Sequence, residues 1–177
     1  MSITLAAMVS VILSNGTTCG GKNYATSSAT TPNFNVSVCV TSDVQWCGIT
    51  YYFERVGTGG TLRINKRTDF FPVDYADEGA LFPQTITTLK KDLGFVWVDP
   101  KGFAPVTKLK VATYNITVLG SKVGTTYKFK LGDQSMVATN PIGSCGTLFG
   151  GTGPYRYDPV SMPEDSFING EFSLIKR

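Results

Sequence analysis

Apolar side chains return at every second position in one segment of this chain after another. In residues 3–13, Ile3, Leu5, Ala7, Val9, Val11 and Leu13 fall on one side, and Ser2, Thr4, Ala6, Met8 and Ser10 on the other. In residues 34–40, Phe34, Val36, Val38 and Val40 alternate with Asn35, Ser37 and Cys39. Tyr127, Phe129 and Leu131 alternate with Lys128 and Lys130 in the same way. A period of two sends one row of side chains into a core and the other toward solvent, which is the pattern of a half-buried β-strand. Glycine-rich stretches at 57–60 and 120–124 and the turn-forming run Asp99, Pro100, Lys101, Gly102 punctuate these segments. Many short strands with such punctuation predict an all-β fold: a single antiparallel β-sandwich, jelly-roll-like, with at most one short helix.

Further elements follow from the same reading. Residues 44–56, rich in aromatics (Trp46, Tyr51, Tyr52, Phe53), form a long strand expected to pair with 34–40 as a hairpin. Residues 61–66 make a short strand with Leu62 and Ile64 on one face. Residues 107–119 and 125–131 form a second expected hairpin, 95–98 a compact strand and 167–175 the last one. The one expected helix covers 83–93. Ile86, Leu89 and Leu93 share a helical face, Pro83 suits the first turn and Gly94 the position past the end. Residues 69–78 read as an acidic loop and 141–163 as a long Gly- and Pro-rich irregular segment. No repeat or linker divides the chain, so residues 1–177 are expected to form one domain.

Residues 3–13 also invite comparison with a secretory signal. No Lys or Arg precedes them, although such signals usually begin with a basic stretch. Their alternation favours a first strand. The run is too short to span a bilayer, which takes about 20 apolar residues, and no membrane span is expected.

Composition then narrows function. Hydrophobic residues make up 42% and charged residues 16%, against a usual charged share of roughly 25%. So few charges beside so many apolar groups argue against disorder and suggest that part of the surface is covered. The net charge of +3 is mild. There is no histidine, which excludes Ser–His and Cys–His nucleophile pairs and the HExxH zinc motif.

Other chemistry reads as structural. Gly16 to Lys22 spells G-x-x-x-x-G-K, but Asn23 stands where a phosphate loop needs a hydroxyl, and the following residues lack the apolar stripe of a helix. A Gly-rich turn is the expected outcome. The acids Asp74, Asp77 and Glu78 lack the ligand spacing of a calcium loop. Cys19, Cys39, Cys47 and Cys145 form no C-x-x-C pair, so buried free thiols are expected. Asn15, Asn35 and Asn115 each begin an N-x-[ST] triplet. No catalytic residue, metal or cofactor is expected, and the protein reads as a non-enzyme.

One pattern points to a ligand. Arg63, Asn65 and Arg67 alternate with Leu62 and Ile64, Lys108 and Lys110 with Leu109 and Val111, and Lys128 and Lys130 with Tyr127, Phe129 and Leu131. If these strands are neighbours, Arg63, Arg67, Lys108, Lys110, Lys128 and Lys130 make one positive sheet face, a candidate surface for a nucleic-acid backbone.

The resulting expectation is a structural subunit of a virus or phage particle: a coat, minor capsid or decoration protein of the virion. It would work by homo-oligomeric self-assembly, with copies of itself and other virion proteins as partners and nucleic acid against the basic face. The alternative is a secreted or cell-surface β-sandwich, such as an adhesin, a pilus-like subunit or a carbohydrate-binding module with Trp46, Trp97 and the tyrosines as sugar platforms. The N-x-[ST] triplets and the cysteines speak for that second reading.

Overall fold

Val11 and Leu13 lie on the buried side of the first strand, β1 (Val9–Asn15), and Phe34, Val36, Val38 and Val40 on that of β3 (Asn33–Ser42). The computed structural model describes residues 9–28, 33–43, 46–56, 61–69, 84–86, 94–120, 122–131, 136–139 and 171–177. The remaining strands are β2 (Tyr24–Ser27), β4 (Trp46–Val56), β5 (Thr61–Asp69), β6 (Gln84–Ile86), β7 (Gly94–Phe103), β8 (Val106–Leu119), β9 (Thr126–Leu131), β10 (Met136–Thr139) and β11 (Phe172–Lys176).

The strands form two sheets. One has five strands in the order β1-β3-β8-β5-β6, all antiparallel. The other runs β10-β4-β9-β11-β2, with β7 also on β4. Its β2–β11 pair is parallel and its other pairs are antiparallel.

The inward rows of both sheets make one core. Phe53 of β4 meets Tyr114 of β8 edge-on, with ring centroids 4.9 Å apart, and Phe34 of β3 stacks on Phe172 of β11 at 5.9 Å. These aromatic pairs tie the two sheets together. Each buried large apolar side chain contributes about 1.5–3 kcal/mol over its exposed state. The all-β sandwich expected from alternation is what the chain forms, with a jelly-roll-like winding.

Strand partners differ from expectation. β3 lies in the five-stranded sheet and β4 in the six-stranded one, so residues 34–40 and 44–56 form no hairpin. β8 and β9 are separated in the same way. Among the described strands, β5 and β6 are the only consecutive pair that share a ladder. Alternation tells which side of a strand faces the core, and it is silent on which strand lies beside it.

The expected helix is also corrected. Gln84, Thr85 and Ile86 pair with Ile64, Arg63 and Leu62 as β6. Residues 87–93 lie outside the described residues, as do 1–8, 70–83 and 140–170, which hold the rest of the expected first strand, most of the acidic loop and the Gly- and Pro-rich segment. The run from Asp99 to Gly102 sits inside β7. Val98 pairs with Gly48 and Phe103 with Trp46, so its turn-forming residues bulge out of one strand instead of joining two.

Candidate functional site

The outward face of the five-stranded sheet is built in rows. Arg63 of β5, Thr117 of β8 and Asn33 of β3 are in register across three strands. Lys66, Asn115 and Asn35 form the next row, and Thr68, Thr113 and Ser37 the one after. Asn65 is the extra residue of a bulge between Ile64 and Lys66.

These side chains interlock. Asn65 Nδ2 donates to Asn115 Oδ1 at 3.0 Å and to Thr117 Oγ1 at 2.7 Å. Asn115 Nδ2 donates in turn to Asn35 Oδ1 at 3.0 Å, and the Thr117 hydroxyl donates to Asn33 Oδ1. Two of these bonds join β5 to β8 and two join β8 to β3, so the chain of contacts crosses all three strands. The Ser37 and Thr113 hydroxyls meet at 2.8 Å.

The segment between β1 and β2 rises over β3 on this face. Asn15 N–H donates to Lys22 O, closing the segment, and Gly16 N–H donates to Asn35 O. Ser14 Oγ donates to Thr18 O and accepts from Gly21 N–H. Gly21 packs so closely that a Cβ there would lie 2.0 Å from Asn15 O. Ser37 Oγ donates to Gly16 O and Lys110 Nζ to Thr17 O. Cys19 is bonded to Cys39 of β3, which corrects the expectation of free thiols at these two positions. The side chains of Cys47 and Cys145 lie outside the described residues. A strand, β2, follows the Gly16 to Lys22 segment, so it is a turn and not a phosphate loop.

Between this wall and β5 lies a cleft of about 350 Å³, lined by Thr17, Asn35, Lys66, Thr68, Thr113 and Asn115. Among the described residues its lining offers hydroxyls, amides and one ammonium, with no carboxylate and no aromatic ring. Among the described residues, no group of three or more His, Cys, Asp or Glu converges on a point.

The six cations singled out in the sequence do not gather. Arg63 and Lys110 point outward from the five-stranded sheet, Lys110 in register with Cys39. Lys108 sits at a β8 bulge opposite Thr41, with φ of 52°, and its N–H donates to Thr41 Oγ1. Arg67 is turned away by the bulge at Asn65. It pairs with Tyr114, whose ring is in the core, and is half-buried. Lys128 and Lys130 belong to β9, in the opposite sheet, where Lys128 forms an ion pair with Glu171 at 2.8 Å. Outward faces of two packed sheets point in opposite directions, so a single positive face does not form.

Alternation alone could have found the row residues. Asn33, Asn35 and Ser37, like Thr113, Asn115 and Thr117, are polar groups at every second position opposite apolar ones. Two of the three N-x-[ST] triplets are therefore parts of this ladder. Trp46, expected as a sugar platform, is 1% exposed in the core. The Trp97 side chain lies outside the described residues.

No protein-family model and no curated protein matches the sequence. Similar solved structures exist. The third ScaB cohesin of R. flavefaciens, solved in complex with a group 1 dockerin, is similar over 99% of both chains, with 19% identity and a TM-score of 0.51. A cohesin module from a Clostridium perfringens family 33 glycoside hydrolase is similar over 97% of this chain and 100% of its own, with 11% identity and a TM-score of 0.48. The fold is thus one shared with a cohesin, and neither similar structure is a virion protein. That likeness and the division of the cations between opposite faces overturn the expectation of a self-assembling coat, minor capsid or decoration subunit lying against nucleic acid. No helix among the described residues is long and apolar enough to cross a membrane.

Proposed function

We propose that this chain is a non-catalytic recognition module of a secreted or cell-surface protein, and that it binds a partner protein module on the outward face of its five-stranded sheet. The observation that carries the reading is the end-to-end likeness to a cohesin solved with its dockerin. A fold does not fix a function, so the face itself must support it. Its rows of Asn, Thr and Ser are held in register by side-chain bonds, and a preorganised polar platform of this kind loses little freedom when a partner docks. The Cys19–Cys39 bond suits an oxidising, extracellular setting. A dockerin-like module is the partner class this reading favours.

The test is titration of the purified chain with a panel of dockerin modules, including a group 1 dockerin, followed by calorimetry. A one-to-one complex is expected. Asn115→Arg, which places a long cation in the middle of the platform, should abolish it, while Lys130→Gln on the opposite sheet should not. A panel without any complex, or a complex indifferent to Asn115→Arg in a folded variant, overturns the reading.

A further inference from the structure

We infer that the cleft on the five-stranded sheet receives a carboxylate side chain, Asp or Glu, projected by a protein partner. This inference rests on the reading of that face as the recognition surface and adds the chemistry of the anchor.

Three observations carry it. The first is the direction of the amide relay. Asn65 donates to Asn115, and Asn115 donates to Asn35. Asn35 Oδ1 is thereby occupied, while its Nδ2 is the end of the relay, with no acceptor among the described residues. A donor at the end of an aligned chain is polarised by the bonds behind it, and Asn35 lines the cleft.

The second is charge. Lys66 lines the same cleft and stands in the same row as Asn115 and Asn35. Among the described residues neither Lys66 nor Arg63, one row away, has an ion-pair partner. Thr17 and Thr68 add hydroxyl donors, so among the described residues the cleft presents donors and a cation and no acid. The complement is an anion with several acceptor positions, and a carboxylate has about four lone-pair sites.

The third decides between sources of that carboxylate. An acidic sugar would be held best where an aromatic ring offers its face to the sugar ring, and none of the described residues lining this cleft is aromatic. The surroundings are a broad sheet face with exposed Arg63 and Lys66, which fits the charge of an acidic protein surface.

The probes are N-acetyl-glutamate N-methylamide, its neutral glutamine counterpart and glucuronate, added separately to the full chain and followed by NMR of the side-chain amides. The glutamate probe should shift the Asn35 and Asn115 amide signals saturably, with a Kd of roughly millimolar strength. Lys66→Gln should weaken it about tenfold, the scale of losing a charge-assisted bond, and Asn35→Asp, which replaces the terminal donor by an acceptor, at least as much. Lys128→Gln should change nothing. No saturable shift, equal shifts from the glutamine probe, or indifference to both Lys66→Gln and Asn35→Asp overturns the inference. Tighter binding of glucuronate than of the glutamate probe overturns its assignment to a protein side chain. Glutamate binding without any dockerin complex supports the site and sinks the dockerin reading. A dockerin complex unaffected by Lys66→Gln does the reverse.

Discussion

Cys19 and Cys39 hold the segment between β1 and β2 against the outward side of β3, with Cα atoms 5.8 Å apart. The bond closes a loop with a sequence separation of 20. In the chain-entropy picture a crosslink of that span stabilises by about 3 kcal/mol. Cys39→Ser is therefore expected to lower unfolding stability by about that amount in urea, and reductant should lower the parent more than the variant. A variant as stable as the parent would show that Cys19 and Cys39 are not joined in solution.

Phe53 links the sheets. It lies edge-on to Tyr114 of the facing sheet at 4.9 Å and to Phe129 of its neighbour strand at 5.8 Å, and it is 1% exposed. Phe53→Ala should cost about 3–5 kcal/mol, the range for large-to-small changes at buried aromatics. Val123→Ala, at a side chain 74% exposed, should stay within about 0.5 kcal/mol. Denaturant midpoints measure both, and comparable effects at the two sites would mean that Phe53 is not a core residue.

What alternation could reveal about this fold was the facing of side chains. Val36, Val38, Tyr127 and Phe129 are inward as read, and Lys128 is outward. Strand partners were not legible, because burying Phe34 requires only a facing sheet, not a particular neighbour. Arg67 was misplaced because one bulge residue, Asn65, reverses the alternation after it, and no residue type marks a bulge reliably. The Cys19–Cys39 pairing depends on a turn carrying residue 19 back over residue 39, a long-range contact that cysteine spacing does not encode. The ladder of Asn35 and Asn115 was present as polar alternation, yet its meaning depends on β3 and β8 lying side by side.

Gly21 and Gly20 offer a paired test of the β1–β2 segment. At Gly21 an added Cβ would meet Asn15 O at 2.0 Å and Ser14 Oγ at 2.9 Å. Backbone must move to make room, so Gly21→Ala should destabilise by about 1–3 kcal/mol. At Gly20 nothing lies within 4 Å, and Gly20→Ala should be neutral or slightly stabilising through its effect on the unfolded chain. Thermal unfolding of the two variants side by side distinguishes them. Equal midpoints would show that the segment does not pack as described.

Tyr127 gives the stability an alkaline limit. Burial of its phenol raises the pKa to about 12, and Arg55, 6.0 Å from the ring, works against that rise without cancelling it. The group is an acid whose folded value lies above the ordinary one of about 10. Below pH 10 both states keep the proton and Tyr127 adds no slope. Between about pH 10 and 12 the unfolded chain releases its proton first, so stability falls by up to about 1.4 kcal/mol per pH unit. The difference in melting temperature between the parent and Tyr127→Phe should be flat below pH 10 and shift in favour of the variant above it. A difference that stays constant through that window would mean that Tyr127 titrates as an exposed phenol.

The bulge at Asn65 sets the outward rows. Ile64 pairs with Ile116 and Lys66 with Asn115, so Asn65 is the residue without a partner of its own in the ladder. Its amide instead joins Asn115 to Thr117. Asn65→Ala removes two part-buried hydrogen bonds and should cost about 1–3 kcal/mol. Deleting Asn65 altogether removes the same bonds, yet it lets Lys66 follow Ile64 in regular alternation, still opposite Asn115, with Arg67 still opposite Tyr114. The deletion is therefore expected to keep the fold and to be destabilised by a similar amount. Deleting Ile64 would instead bring Asn65 opposite Ile116 and put an amide where a fully buried apolar side chain stands, an uncompensated burial of a polar group. Amide exchange and urea unfolding should find the Asn65 deletion folded and the Ile64 deletion not. A collapsed Asn65 deletion would show that the bulge, and not the register on either side of it, holds β5 in place.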